Sequence, residues 1–180
     1  YLLAFNAAFF FKIGILLLLL FCSALISGAE VALFSLSPTD INQIEERKTA
    51  RGGIVVKLLE RPKKLLATIL IANNAINIGI VLLFNVLGDT IFSDITYKIL
   101  GIIPVRFLLE VVVITFLILM FGEILPKVYA NRNRVSFSLL MSYPLKMLDF
   151  IFSPLSMPMR SATLFLFKKL GKEKSNLSVD

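Results

Sequence analysis

Three stretches of this chain are apolar for long enough to cross a lipid bilayer, and no other feature narrows its possible folds so far. A spanning helix needs about 20 mostly apolar residues at a rise of about 1.5 Å each. Ile13–Ser35, Leu65–Leu87 and Phe107–Leu125 meet that requirement, with Glu30, Glu110 and Glu123 as their only charged side chains. Composition agrees: the chain is 57% hydrophobic and 17% charged. Soluble domains run at about 45–50% and about 25%, so the surplus apolar surface calls for lipid as its solvent. The expected fold is an all-α membrane protein with three transmembrane helices.

The net charge of +7 would suit a nucleic-acid partner if the basic residues formed a patch. They sit instead between the apolar runs, so they read as topology, and no nucleic acid is expected. Residues 37–64 carry Arg47, Lys48, Arg51, Lys57, Arg61, Lys63 and Lys64, whereas residues 88–106 carry only Lys98 and Arg106. Lys127, Arg132 and Arg134 follow the third span, and Lys168, Lys169, Lys172 and Lys174 come later. The positive-inside rule then puts loop 37–64 and the C-terminus in the cytoplasm and the N-terminus outside.

Within the loop, Ser37-Pro38-Thr39-Asp40 reads as a helix start. Ile41, Ile44, Ile54, Val55 and Leu58, spaced among charges, suggest short amphipathic helices at the membrane surface. Residues 135–170 are apolar but broken by Pro144, Pro154 and Pro158 and interrupted by Lys146, Asp149 and Arg160. They are expected to be bent juxtamembrane amphipathic helices along the inner leaflet. A fourth span there would carry the lysine-rich end outside. Residues 171–180 read as the start of a linker, and the chain as a membrane domain of a longer protein with no signal peptide.

Absences narrow the chemistry. The chain has no His and a single cysteine, Cys22, which removes His-ligated metals, a His acid–base relay and an internal disulfide; Cys22 reads as a packed thiol. Asp40, Asp89, Asp94, Asp149 and Asp180 all fall outside the predicted spans, so no intramembrane aspartyl pair is expected. Lys127 sits at a membrane edge, poorly placed for a Ser–Lys dyad. The expectation is a protein without enzymatic activity.

What remains is a set of polar groups at membrane depth, where they cost free energy and therefore carry information. Ser23 and Ser27 share a face of the first span, and Asn73 and Asn77 share a face of the second, with Asn74 beside them. The third span ends in Gly122-Glu123-Ile124-Leu125-Pro126-Lys127. Pro126 lacks an N–H and is expected to free the carbonyl of Gly122. Counting along the helices puts Ser27, Asn73 and Asn77 in the inner half of the bilayer, with Gly122 and Glu123 near the inner end of their span and somewhat shallower unless that helix continues past Pro126. Together they offer a hydroxyl, amide oxygens, a carbonyl and a carboxylate. Oxygen-only ligation suits a hard cation such as Mg2+. One carboxylate leaves a divalent ion incompletely neutralised, which favours reversible binding.

Plainer readings stand beside this one. The serines with Gly28 and Ala29 also suit close helix packing, and the asparagines also suit interhelical hydrogen bonding. Glu123 is one turn from Lys127 and can pair with it. Glu30 either ligates an ion, reaches the inner interface, or pairs with a basic residue such as Arg47. Arg106 and Glu110 read as a surface pair.

Ser27-Gly28-Ala29-Glu30-Val31-Ala32-Leu33-Phe34-Ser35-Leu36-Ser37, Ala72-Asn73-Asn74-Ala75-Ile76-Asn77 and Gly122-Glu123-Ile124-Leu125-Pro126-Lys127 together resemble the signature of the CorC/CNNM membrane domain, a magnesium transporter family. The resemblance covers essentially the whole chain. Lys127-Val128-Tyr129-Ala130-Asn131-Arg132 also resembles the gliding-motility-associated (GldE-like) bacterial branch.

The resemblance implies a homodimer in the bacterial inner membrane, three spans per subunit with a juxtamembrane belt, and cytoplasmic CBS domains that bind nucleotide. It further implies Mg2+ export driven by Na+ entry, with Ser27, Asn73, Asn77, Gly122 and Glu123 as the ion site. Ser23, Glu30, Asn74, Pro126 and Lys127 are secondary candidates. Relatives often have Gly where Ala72 stands, and the extra methyl bears on helix contact and access. The competing expectation is a non-transporting Mg2+-sensing or scaffold subunit of cell-envelope or gliding machinery.

Overall fold

The computed structural model describes residues 2–92, 98–99 and 103–153. Nearly all of them are helical. Helix α1 spans Leu2–Phe34, and α2 (Pro38–Glu46) and α3 (Ala50–Leu59) fill the loop before α4 (Pro62–Ile91). A short antiparallel ladder, β1 (Lys98–Ile99) with β2 (Ile103–Pro104), leads into α5 (Val105–Leu117). The third long helix continues through a π-helical segment, Ile118–Ile124, into α6 (Leu125–Arg132), and α7 covers Arg134–Ile151.

Three helices are long and apolar enough to cross a membrane: Ala7–Phe34, Pro62–Ile91 and Val105–Arg132. All three exceed the predicted spans, most of all the third, expected to stop at Leu125. Pro126 does not end it, because the turn before it is already wide. The Leu125 N–H reaches back five residues to the Met120 carbonyl. Proline's missing N–H therefore falls where the ordinary four-residue ladder is already broken, and it occupies the first turn of α6, where it is tolerated. The expectation that Pro126 acts by itself to expose the Gly122 carbonyl gives way to a π segment spanning both Gly122 and Glu123. The lengthened α4 also takes in Asp89, which was assigned outside the spans.

The loop helices begin as their sequence dictates. Ser37 accepts the Asp40 N–H through its hydroxyl at 3.2 Å while the Asp40 carboxylate accepts the Ser37 N–H at 2.8 Å, a reciprocal cap. Thr49 caps α3 by accepting the Gly52 N–H at 3.1 Å. Asp40 also meets Arg134 Nε at 2.8 Å, fastening α2 to the start of α7. α7 lies against α1, α3 and α4, with Phe137, Ser138, Met141, Ser142 and Leu145 buried and Pro144 on its exposed side. It is not among the three spanning candidates. The later part of the expected juxtamembrane region, residues 154–170, lies outside the described residues.

Packing is the inverse of a soluble protein's. Leu17, Leu18, Phe21, Leu82 and Phe107 point outward, each more than half exposed, as lipid-facing residues should. Two apolar clusters hold the helices together. One joins Ile26, Ala29 and Leu33 of α1 to α3, α4 and α7. The other joins Leu16 and Leu20 to Ile80, Phe84, Leu87 and Ile114. Ala72 is buried in the first, a methyl group inside the α1–α4 contact region. Gly28 permits the approach of α6 and α7: a Cβ there would lie 2.7 Å from Phe137 Cζ and 3.3 Å from Ala130 Cβ.

Candidate intramembrane cation site

Between the two apolar clusters lies a polar one. The Ser23 hydroxyl is fully buried and stands 2.8 Å from Asn77 Oδ1 and 3.1 Å from Asn73 Oδ1. Gly122 completes the wall on the third helix, where a Cβ would come within 3.1 Å of Ser23 Oγ. Depth explains the meeting. Ser23 and Asn73 each lie roughly 16 Å from the loop ends of their helices at Phe34 and Pro62. Because the third helix runs on to Arg132, Gly122 lies about 15 Å from its own end. Had the helix stopped at Leu125, Gly122 would have been near the surface.

The donor balance is uneven. A serine hydroxyl has one proton, and two amide oxygens approach it, so one of them always lacks that donor. Turning either amide over would present an N–H to the serine oxygen and close the network without any ion. Next along α1, Ser27 is fully buried and its hydroxyl has no hydrogen-bond partner among the described residues. An orphaned buried hydroxyl costs about 1–3 kcal/mol unless a water or ion satisfies it. The Ser138 hydroxyl of α7 is orphaned in the same sense.

The predicted residues thus divide. Ser23, Asn73, Asn77 and Gly122 come together, with Ser23, expected only as a secondary member, at the centre. Ser27 lies one turn away. Its i−4 relation to Ser23 was the available signal, and the choice between them depended on helix register. Glu123 is half-buried beside Gly122 and pairs with no cation among the described residues. Asn74 is exposed on another face. Lys127 pairs with Glu30, Nζ to Oε2 3.3 Å, which replaces both the Glu123–Lys127 and the Glu30–Arg47 pairings. Lys127 lies on a helix that packs against α1, and that contact brings it to Glu30. Among the described residues no three His, Cys, Asp or Glu side chains gather as a metal cluster, so a cation held here would rely mainly on neutral oxygens.

The pairs Arg106–Asp89 and Lys64–Asp149 were less visible in the sequence than Arg106–Glu110. Arg106 bridges Asp89 and Glu110, with its Nε 2.7 Å from Glu110 Oε1. Glu110 was expected at the surface, yet it is 6% exposed, folded onto the bare backbone of Gly88. Lys64 meets Asp149 at 2.7 Å, and Thr68 donates to the same carboxylate at 3.4 Å, joining α4 to α7.

Residues 14–179 match the family model described as "Cyclin M transmembrane N-terminal domain". A "UPF0053 protein" of Haemophilus influenzae is 34% identical over 87% of this chain and 35% of its own length. The "UPF0053 inner membrane protein YfjD" of Escherichia coli is 27% identical over 83% of this chain and 32% of its own. "Metal transporter cnnm-4" of Caenorhabditis elegans is 30% identical over 93% of this chain and 34% of its own. The chain spans about a third of the length of these relatives.

Proposed function

The chain belongs to the cyclin M (CNNM) transmembrane-domain family, and on that premise we propose that it is the membrane domain of a metal-ion transporter. The observation that carries this reading is the convergence of Ser23, Asn73, Asn77 and Gly122 from three spanning helices at one depth, with the Ser23 hydroxyl between the two amide groups. A relative of this chain is named a metal transporter. The cargo is Mg2+: hard oxygen donors and the absence of His suit it, and a partly hydrated ion needs only a few protein oxygens. Ser23, Asn73 and Asn77 supply side-chain oxygens, Gly122 leaves the backbone bare, and Ser27 and Glu123 take up the ion along its path.

The protein sits in the inner membrane as a homodimer, with loop 37–64 and the C-terminal side in the cytoplasm, as the distribution of Lys and Arg favours. Export coupled to Na+ entry, CBS domains beyond this segment and a role without enzymatic chemistry complete the proposal. They rest on the family resemblance. The hydroxyl–amide contacts, which close on themselves when either amide is turned over, support a second reading, a scaffold or sensor that carries no flux.

The test is Mg2+ flux in sealed proteoliposomes, paired with calorimetric Mg2+ binding, for wild type, Ser23→Ala and Asn77→Ala. Saturable binding and flux, both lost in the variants, support the transporter. Folded protein with binding but no flux selects the sensor, and neither binding nor flux selects the scaffold.

A further inference from the structure

A cleft of about 420 Å3 opens at the loop end of the spans, between α3, the first turn of α4 and the end of α7. Its charge is one-sided: Lys57, Arg61, Lys64 and Lys146 line it, with Asp149 as the sole acid. Lys64 is committed to Asp149 at 2.7 Å. Lys57, Arg61 and Lys146 form no ion pair among the described residues. Two of the cations, Arg61 and Lys64, stand at the N-terminal end of α4, which lacks both an acidic first turn and a side-chain cap. Cations at a helix N-terminus oppose its dipole, so the cleft is electrostatically incomplete without an anion.

The remaining lining is apolar. Leu58 and Leu65 form part of it, and Phe150 stands at its edge 82% exposed. An aromatic ring in that position, level with the start of a membrane-spanning helix, faces the acyl boundary rather than water. A free phosphate has no use for it, whereas a phospholipid carries a phosphate for the cations and a glycerol-acyl stem for the ring. Basic pockets between helices at a membrane surface are a known way of holding anionic headgroups. We propose that this cleft binds the headgroup of an anionic phospholipid and thereby ties α3 and α7 to the base of α4. That joint connects the surface helices to the helix bearing Asn73 and Asn77, so the lipid would bias the α4 position.

The intact protein is placed in nanodiscs of mixed phosphatidylglycerol and phosphatidylcholine, and bound lipid is counted by native mass spectrometry after release into detergent. The triple variant Lys57→Gln/Arg61→Gln/Lys146→Gln is compared with Arg51→Gln/Lys63→Gln, which removes charge from the same loop outside the cleft. Each basic residue near an anionic surface contributes roughly a five-fold gain in affinity, so the triple variant should retain phosphatidylglycerol roughly a hundred-fold more weakly. Wild type should prefer it over phosphatidylcholine, and the control pair should behave as wild type. Equal retention by all three proteins, or equal loss in the control pair, overturns the proposal. So does inorganic phosphate that displaces the lipid at comparable concentration, since the cleft would then be a phosphate site. The unfolding temperature of each variant in lipid-free detergent separates loss of binding from loss of fold.

Discussion

Replacing Gly88 by alanine should sever the Arg106–Glu110 pair without touching either residue. A Cβ at position 88 would lie 2.3 Å from Glu110 Oε1 and 2.7 Å from its Cδ. Ordinary contact requires about 3.5 Å, so the carboxylate must retreat by more than an ångström. Its 2.7 Å bond to Arg106 Nε cannot survive that movement. Losing a charge-assisted hydrogen bond at a group only 6% exposed costs about 1.5–3 kcal/mol. Alanine in a helix recovers about 0.8–1 kcal/mol relative to glycine, leaving a net loss of about 0.5–2 kcal/mol. In a Glu110→Ala background the obstacle is gone, and the same substitution should stabilise by about 1 kcal/mol. Reversible unfolding in mixed micelles across the four proteins measures the coupling, expected at about 1.5–3 kcal/mol. If Gly88→Ala has the same effect in both backgrounds, the close approach of Glu110 to Gly88 has no energetic weight and the reasoning fails.

Other outcomes follow from the same contacts. Gly28→Val should destabilise by about 1–3 kcal/mol through overpacking against Phe137, and Phe137→Leu should restore part of the loss in the same micelle assay. Lys48 holds a left-handed conformation, φ 47°, just past the end of α2, so Lys48→Gly should raise stability by about 1 kcal/mol; an unchanged or lowered value refutes this. Asp40 is held below the ordinary carboxylate range, first by the Ser37 hydroxyl and backbone N–H and then by Arg134. A depressed carboxylate stabilises the fold above its unfolded pKa and ceases to do so as pH falls through the folded one. The start of α2 should therefore loosen only below the usual carboxylate range, with Ser37→Ala moving that transition upward, as read from the Asp40 carboxyl carbon by NMR.

The spans were legible because apolar length is a one-dimensional property, and so were the capped starts of α2 and α3, which depend on residues three apart. The polar cluster was legible as a set of residue types at one depth. Its membership was not. Whether Ser23 or Ser27 faces the asparagines depends on how far α1 and α4 slide past each other, a distance about the length of one turn. The third helix misled because proline is ordinarily a stop, and a π segment has no compositional mark. Lys127 had an acid one turn before it and another across a helix contact, and only the packing of α6 on α1 selects Glu30. Asp149 looked like an interruption in an apolar stretch until Lys64, far away in sequence, supplied the reason for its position.

The wide turn at Ile118–Ile124 acts on the helix as a phase shifter. An α-helix turns about 100° per residue, and a π turn accommodates one residue more than an α turn. Tightening the segment into an even α ladder with every residue kept would rotate everything beyond it by about 100°. Lys127 would swing away from Glu30, and Ala130 away from Gly28. The same geometry works in the other direction. If the extra residue migrates one step along the helix, hydrogen bonds are exchanged between neighbours, and the side chains it passes change face while both ends of the helix stay anchored. The position facing Ser23 is thus a place in this membrane domain where a rigid rod can present a different residue without moving.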